Sequence, residues 1–167
     1  MISTVQVPDF QQAMASFPGG ITAVTTHSTD GPIGIIATAV CSLSAEPPSI
    51  LVCVHKHASV HDAILDAGCF AVNLLSTRHQ ALVARFSQQR GAARFEPALW
   101  APLKTGAPTL SNAALTLDCT LLDTHDGYSH TIIVGAVAAT KVGDTANAGC
   151  LLWHDRTFAR SSPLAAY

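Results

Sequence analysis

The stretch GIIATAVCSLSAEPPS, residues 34–49, decides how the rest of this chain is read. It is small, nearly uncharged and spotted with Thr38, Ser42 and Ser44, and it runs from Gly34 to the pair Pro47-Pro48. Short apolar residues alternate with the hydroxyls, which predicts a strand over residues 34–44. Small side chains at Ala37, Thr38 and Ala39 would let a flat ligand approach the backbone closely. An ordinary barrel strand ending in a Ser/Thr turn has the same pattern, and spacing alone leaves both readings open.

Working outward, residues 9–17 read as a short helix capped by Asp9, with Phe10, Met14 and Phe17 on one face and Pro18-Gly19-Gly20 as the stop. Residues 21–26 are a β-branched strand, followed by a turn containing Asp30-Gly31. Residues 49–55, SILVCVH, have the continuous apolar character of a buried strand. Ser59 is expected to cap a helix to about Ala67, ended by Gly68. Residues 69–75 form a strand, and Ser76 caps a helix to about Phe86 with Leu82, Val83 and Phe86 as its apolar face. Residues 88–108 read as loop. Residues 115–122 alternate cleanly, 130–140 form a longer strand, and 149–153 supply the last. Strands that follow one another without crossover helices predict a mainly β fold, an antiparallel barrel with short helices plugging its ends. No repeat or linker divides the 167 residues, so a single domain is expected.

Composition narrows the function. Apolar residues make up 49% and charged residues 12%, which suits a globular protein with some surface covered by another subunit. The net charge is −2, and the nine basic residues read as scattered, which argues against nucleic acid. No apolar run reaches the ~20 residues of a membrane span, and the start MISTVQVPDFQQ lacks a signal-peptide pattern, so a cytoplasmic protein is expected. The five cysteines are widely spaced without a CxxC, and read as small buried hydrophobes. There is no GxSxG and no GxGxxG after a strand. His55, His57 and His61 lack an acidic or cysteine ligand to complete a set, so they read as a polar rim and no metal site is expected.

The segment HKHAS, residues 55–59, adds an ammonium at Lys56 and an expected helix start at Ser59. With the hydroxyls of residues 34–49, it offers what a phosphate needs.

Taken together, these pieces resemble the short-chain flavin reductases, the FMN-binding split-barrel family. The resemblance is carried by AMASFPGGITAVTT, GIIATAVCSLSAEPPSILVC, CFAVNLLS, the ARF of Ala84–Phe86, Arg94-Phe95, Trp100, LTLDC and the closing WHDRTF. It is similar in particular to the reductase partners of aromatic hydroxylases such as 4-hydroxyphenylacetate 3-monooxygenase. The resemblance implies a homodimeric split barrel that binds FMN or FAD and takes hydride from NADH, with NADPH as the second choice. Reduced flavin would pass to a separate flavin-dependent monooxygenase. By position, Ile36, Ala37, Thr38, Ala39 and Val40 would line the flavin ring, and Ser42 would serve the phosphate or ribityl chain. Cys53, Val54, His55, Lys56 and Ser59 would complete the site, with Phe86 and Arg94 as neighbours. His130 would be the catalytic residue beside the nicotinamide, and Arg156 would lie near the same cleft.

Two departures stand out. Ile36 occupies a position where many relatives carry Thr, and Tyr128 occupies the Gly of the family's Gly-x-His motif, with Gly127 one place early. Lys56 is the one cation expected near the phosphate, which suits a flavin held as a substrate. The absence of an evident Arg-rich patch favours NADH. A flavin-binding barrel without free reductase activity, acting as electron carrier or sensor, is the alternative. A heme-binding or purely structural barrel is the third.

Overall fold

The computed structural model describes residues 4–143 and 148–164. Its centre is one antiparallel seven-stranded sheet. In chain order the strands are β2 (Thr22–Ser28), β3 (Gly31–Ala37), β4 (Val40–Ala45), β5 (Pro48–His55), β6 (Cys69–Leu74), β9 (Leu115–Gly127) and β10 (His130–Val142). In space they lie in the order β3-β2-β6-β9-β10-β5-β4.

The expected strand over residues 34–44 is therefore two strands. β3 pairs with β2 and β4 with β5, at opposite edges of the sheet. Laid flat, six strand spacings would hold those edges about 29 Å apart. Only Thr38 and Ala39 join them, and three Cα–Cα links reach about 11 Å at most. The sheet must curl until its edges nearly meet at this corner, which makes an incompletely closed barrel.

Long strands curve round the barrel through bulges. Register shifts fall between Val134 and Gly135 and between Val137 and Ala139 on β10. Gly135 is required there, since a Cβ would sit 2.5 Å from Cζ of Phe70. Helix α2 (His61–Ala67) plugs one end, adding Val60 and Ile64 to an interior of Val24, Val52, Val54, Phe70, Val72 and Ile133. A second core lies outside the barrel. There α3 (Gln80–Gln88) sets Leu82 and Phe86 against Ile21, Ala23 and Leu75, with Phe95 and Leu110. β2 is thus buried on both faces, Val24 inward and Ala23 outward. Buried Asn73 locks its neighbours together. Its amide donates to Ala23 O and Thr25 Oγ1, and its oxygen accepts from Leu110 N and Thr116 Oγ1.

Several boundaries differ from those expected. Helix α1 is Val7–Ala15, with Gln6 at its N-cap, so Asp9 sits in the first turn and does not cap. Ser59 does not cap α2 either; that position is Val60, and no side chain caps the helix. Ser76 begins a 3-10 turn, Thr77–His79, closing a capping box with His79 before α3. Residues 88–108 contain a 3-10 turn (Gly91–Arg94) and a small hairpin, β7 (Trp100–Pro102) with β8 (Pro108–Leu110). β9 and β10 run on to Gly127 and Val142. The chain closes with β11 (Leu151–His154) and β12 (Thr157–Arg160), a hairpin paired through β11 to β1 (Gly19–Gly20). No helix among the described residues is long and apolar enough to cross a membrane.

Candidate active site

A cleft of about 610 Å³ opens over the β3–β4 corner. Ile35, Ile36, Ala37, Thr38 and Ala39 line it from the corner itself. Alternation on β5 turns Val52 and Val54 into the barrel, so Cys53 and His55 face outward to the cleft. His130, first residue of β10 and directly opposite His55, stands beside them. Val83, Ala84 and Ser87 of α3 form another wall, and Trp153 and Phe158 of the closing hairpin a third.

The corner presents backbone as well as side chains. β3 is an edge strand, and Gly34 O points away from β2 to accept from Arg94 Nη1 at 2.7 Å. The two-residue period puts the N–H and C=O of Ile36 on the same open edge. Further along, Thr38 O accepts from Val40 N and Ala39 O from Cys53 N, which pins the corner.

The histidine side is held by the adjoining turns. The rings of His55 and His130 meet edge to face, centroids 4.9 Å apart and planes at 80°. His57 N donates to His55 Nδ1 at 3.1 Å, which leaves the His55 proton on Nε2. Ser129 Oγ lies 2.9 Å from His130 Nδ1, and Lys56 N donates to Ser129 O. The β9–β10 turn contains only Tyr128 and Ser129, because Gly127 pairs directly with His130. No extra residue absorbs the displaced glycine. Tyr128 itself takes the left-handed conformation, φ 64°, that glycine adopts freely, and is 91% exposed.

Of the residues singled out from the sequence, the cleft gathers Ile36, Ala37, Thr38, Ala39, Cys53, His55 and His130. The others lie elsewhere. Val54 is fully buried in the barrel and Phe86 in the second core. Val40 and Val52 are cross-strand partners, and Val40 packs on the barrel core. Ser42 is exposed on β4, and Ser59 in the loop before α2. Lys56 is ion-paired with Asp126. Arg94 braces the edge strand and also donates from Nε to Gln89 O. Arg156, in the β11–β12 turn, contacts Gln12 and lines a separate depression beside α1. The sequence reading did not place Trp153 and Phe158 in the site. Their rings meet at 5.6 Å and 76°, each about 40% exposed, and the two aromatics that bracket the polar run HDRT are the sequence signal that could have found them.

Among the described residues no Asp or Glu lines the cleft. Among the described residues no group of three or more His, Cys, Asp or Glu could hold a metal ion. What the arrangement offers is an open backbone edge, small and apolar walls, exposed aromatics and two imidazoles. That suits planar, polar-edged rings better than hydrolysis or metal chemistry.

These features define a mainly β, incompletely closed antiparallel barrel with a cleft at its split. The chain belongs to the flavin reductase-like domain family, whose model matches residues 14–162. It is 35% identical over 153 residues to the FMN reductase (NADH) RutF of Agrobacterium fabrum, covering 90% of this chain and 86% of that one. Among solved structures it is similar to the NADH:FAD oxidoreductase SgcE6 of Streptomyces globisporus, with 27% identity and a TM-score of 0.86. The likeness covers 98% of this chain and 99% of that one. SgcE6 is also solved in complex with NAD and FAD fragments. BorF, the flavin reductase component of a bacterial two-component tryptophan halogenase, is 28% identical at a TM-score of 0.84, covering 93% of this chain and 98% of its own.

Proposed function

We propose that the protein is an NADH-dependent flavin reductase that releases reduced flavin to a separate flavin-dependent monooxygenase. One observation carries this reading: the open edge at Ile36 and the paired imidazoles of His55 and His130 share a single cleft. The edge matches the donor and acceptor groups of an isoalloxazine, and Ala37 and Ala39 leave room for close approach. Family membership, and relatives named as FMN reductase (NADH) and NADH:FAD oxidoreductase, support it.

FMN or FAD, when bound, supplies the chemistry: the hydride leaving C4 of NADH is taken at flavin N5, giving NAD⁺ and, with one proton, reduced flavin. This chain orients and shields. Ile36, Ala37, Thr38 and Ala39 hold one ring against the strand edge. Outward N–H groups there favour the negative charge that accumulates on the reduced ring. His130 stands where it can position the nicotinamide and exclude water, with its ring set by His55 and Ser129. Such alignment is worth several kcal/mol. Lys56 is engaged by Asp126, so it adds little free charge for a phosphate, which suits a flavin that leaves after reduction.

The working unit we propose is a homodimer. Helix α1 buries no residue of its own, and Phe10, Met14 and Phe17 are 56%, 47% and 70% exposed. Met14, Phe17, Cys41 and Leu51 line a hollow of about 500 Å³ beside the cleft. A second copy covering this apolar face would remove it from water.

The test is purified protein mixed with NADH and FMN or FAD while absorbance is followed at 340 nm. Rapid flavin-dependent NADH loss is expected. Flavin binding without that loss would leave the carrier or sensor alternative in place. Light scattering on the eluting protein should give twice the mass of the chain.

A further inference from the structure

Four of the nine basic residues, Arg78, Arg85, Arg90 and Arg94, fall within residues 77–94, where there is no Asp or Glu. The basic residues are thus less scattered than the sequence reading had them. Helix α3 carries part of this segment along the cleft. Val83, Ala84 and Ser87 line the cleft, while Ala81, Ala84, Arg85, Gln88 and Gln89 line a second depression of about 240 Å³. Ala84 belongs to both, so the two share a rim. The depression is smaller than the ~300 Å³ or more of a whole-ligand pocket, which is the size of a subsite. A guanidinium and two amides are its polar lining, and among the described residues no carboxylate joins them.

The charge here is uncompensated. Among the described residues neither Arg85 nor Arg90 forms an ion pair. Arg94 is committed to Gln89 O and Gly34 O. Its own pKa lies below the usual arginine value, first through partial burial and then through the nearby charge of Arg90. The C-terminus of α3 offsets about half a charge, which still leaves this end of the helix positive.

We propose that this depression receives the diphosphate of a dinucleotide whose ring lies in the adjoining cleft, with Arg85 as the principal donor. The inference rests on the flavin reductase reading and adds a residue and a ligand group to it. A guanidinium fork matches paired phosphate oxygens. FAD and NADH both carry the ADP diphosphate; FMN carries one phosphate.

Calorimetric titration of ADP into the wild type, Arg85→Gln and Arg85→Lys tests the site. Arg85→Gln should weaken ADP binding about tenfold or more, the scale of one charge-assisted hydrogen bond, and Arg85→Lys should weaken it less. Steady-state kinetics then separate the sources. A KM for FAD raised at least tenfold more than that for FMN assigns the site to the flavin. A KM for NADH raised with either flavin assigns it to the nicotinamide dinucleotide. ADP binding unchanged in Arg85→Gln, or equal shifts for FMN, FAD and NADH, would overturn the proposal. Gln88→Ala, at another residue lining the depression, repeats the ADP titration should Arg85→Gln fold poorly. A wild type that never consumes NADH with flavin sinks the reductase reading, whereas an active wild type matched by Arg85→Gln sinks the subsite alone.

Discussion

Arg94 Nη1 donates to the carbonyl of Gly34 at 2.7 Å, so a turn sixty residues away holds the outer edge of β3 in place. Gly34 has no substitute there, because a Cβ would lie 2.8 Å from Val24 O and 2.9 Å from Thr25 Cγ2. Arg94→Met should lower the unfolding free energy by about 1–2 kcal/mol through the lost charge-assisted bond. It should also raise the KM for flavin, because Ile36 sits on the same edge two residues on. Urea unfolding together with steady-state kinetics checks both. Unchanged flavin KM would show that the corner keeps its shape without the brace.

Tyr128 bears a left-handed backbone at the tip of the β9–β10 turn and buries almost nothing. A side chain in that conformation costs about 1–2 kcal/mol, partly offset by the greater unfolded freedom of glycine. Tyr128→Gly should therefore stabilise the protein by about 0.5–1 kcal/mol, read as a higher urea midpoint at constant slope. A lower midpoint would mean that the phenol makes contacts this monomer does not contain.

Ile36→Thr restores a hydroxyl beside the open edge of β3. FMN affinity, followed by quenching of flavin fluorescence, should rise roughly threefold to tenfold, the worth of one neutral hydrogen bond. The cost is about 1 kcal/mol of stability, since Ile36 packs on the second core. Affinity that stays level or falls would assign Ile36 to packing alone.

Burial pushes the Cys119 thiol up to about 12, with the charge of Asp118 adding to it. The folded state therefore favours the protonated thiol. Its contribution to stability is complete below the unfolded pKa of about 8.5. It is lost at about 1.4 kcal/mol per pH unit as pH rises towards 12. Denaturant midpoints at pH 8 and pH 10 should fall further for the wild type than for Cys119→Ala. Equal falls would place the alkaline sensitivity in other groups.

The strands were legible where one rule governed them. The β-branched run that becomes β2 and the apolar run that becomes β5 announce strands, and the alternation of Leu115, Leu117 and Cys119 announces another, although its polar face, Thr116 and Asp118, is fully buried and not turned to solvent. The starts of α1 and α2 differ from those expected because Asp9 and Ser59 fit a cap by type, while the backbone placed Gln6 and Val60 there; Ser76 and Gly68 hold the cap positions expected of them. The family resemblance sets Phe86 and Arg94 beside the flavin, and in the fold one is core and the other a brace. Only the packing of α3 and the following turn against β3 separates those roles.

Residues 34–49 show the division most clearly. Composition and alternation there were enough to establish extended chain with small side chains. Nothing in ATAV marks a break, for it contains neither Gly nor Pro. The break at Thr38-Ala39 exists because β3 and β4 pair with different neighbours at opposite edges of the sheet, and strand pairing is a long-range choice. Closure of the barrel then bends the chain at that point, leaves the Ile36 edge unpaired, and carries His130, more than ninety residues later, to the same cleft.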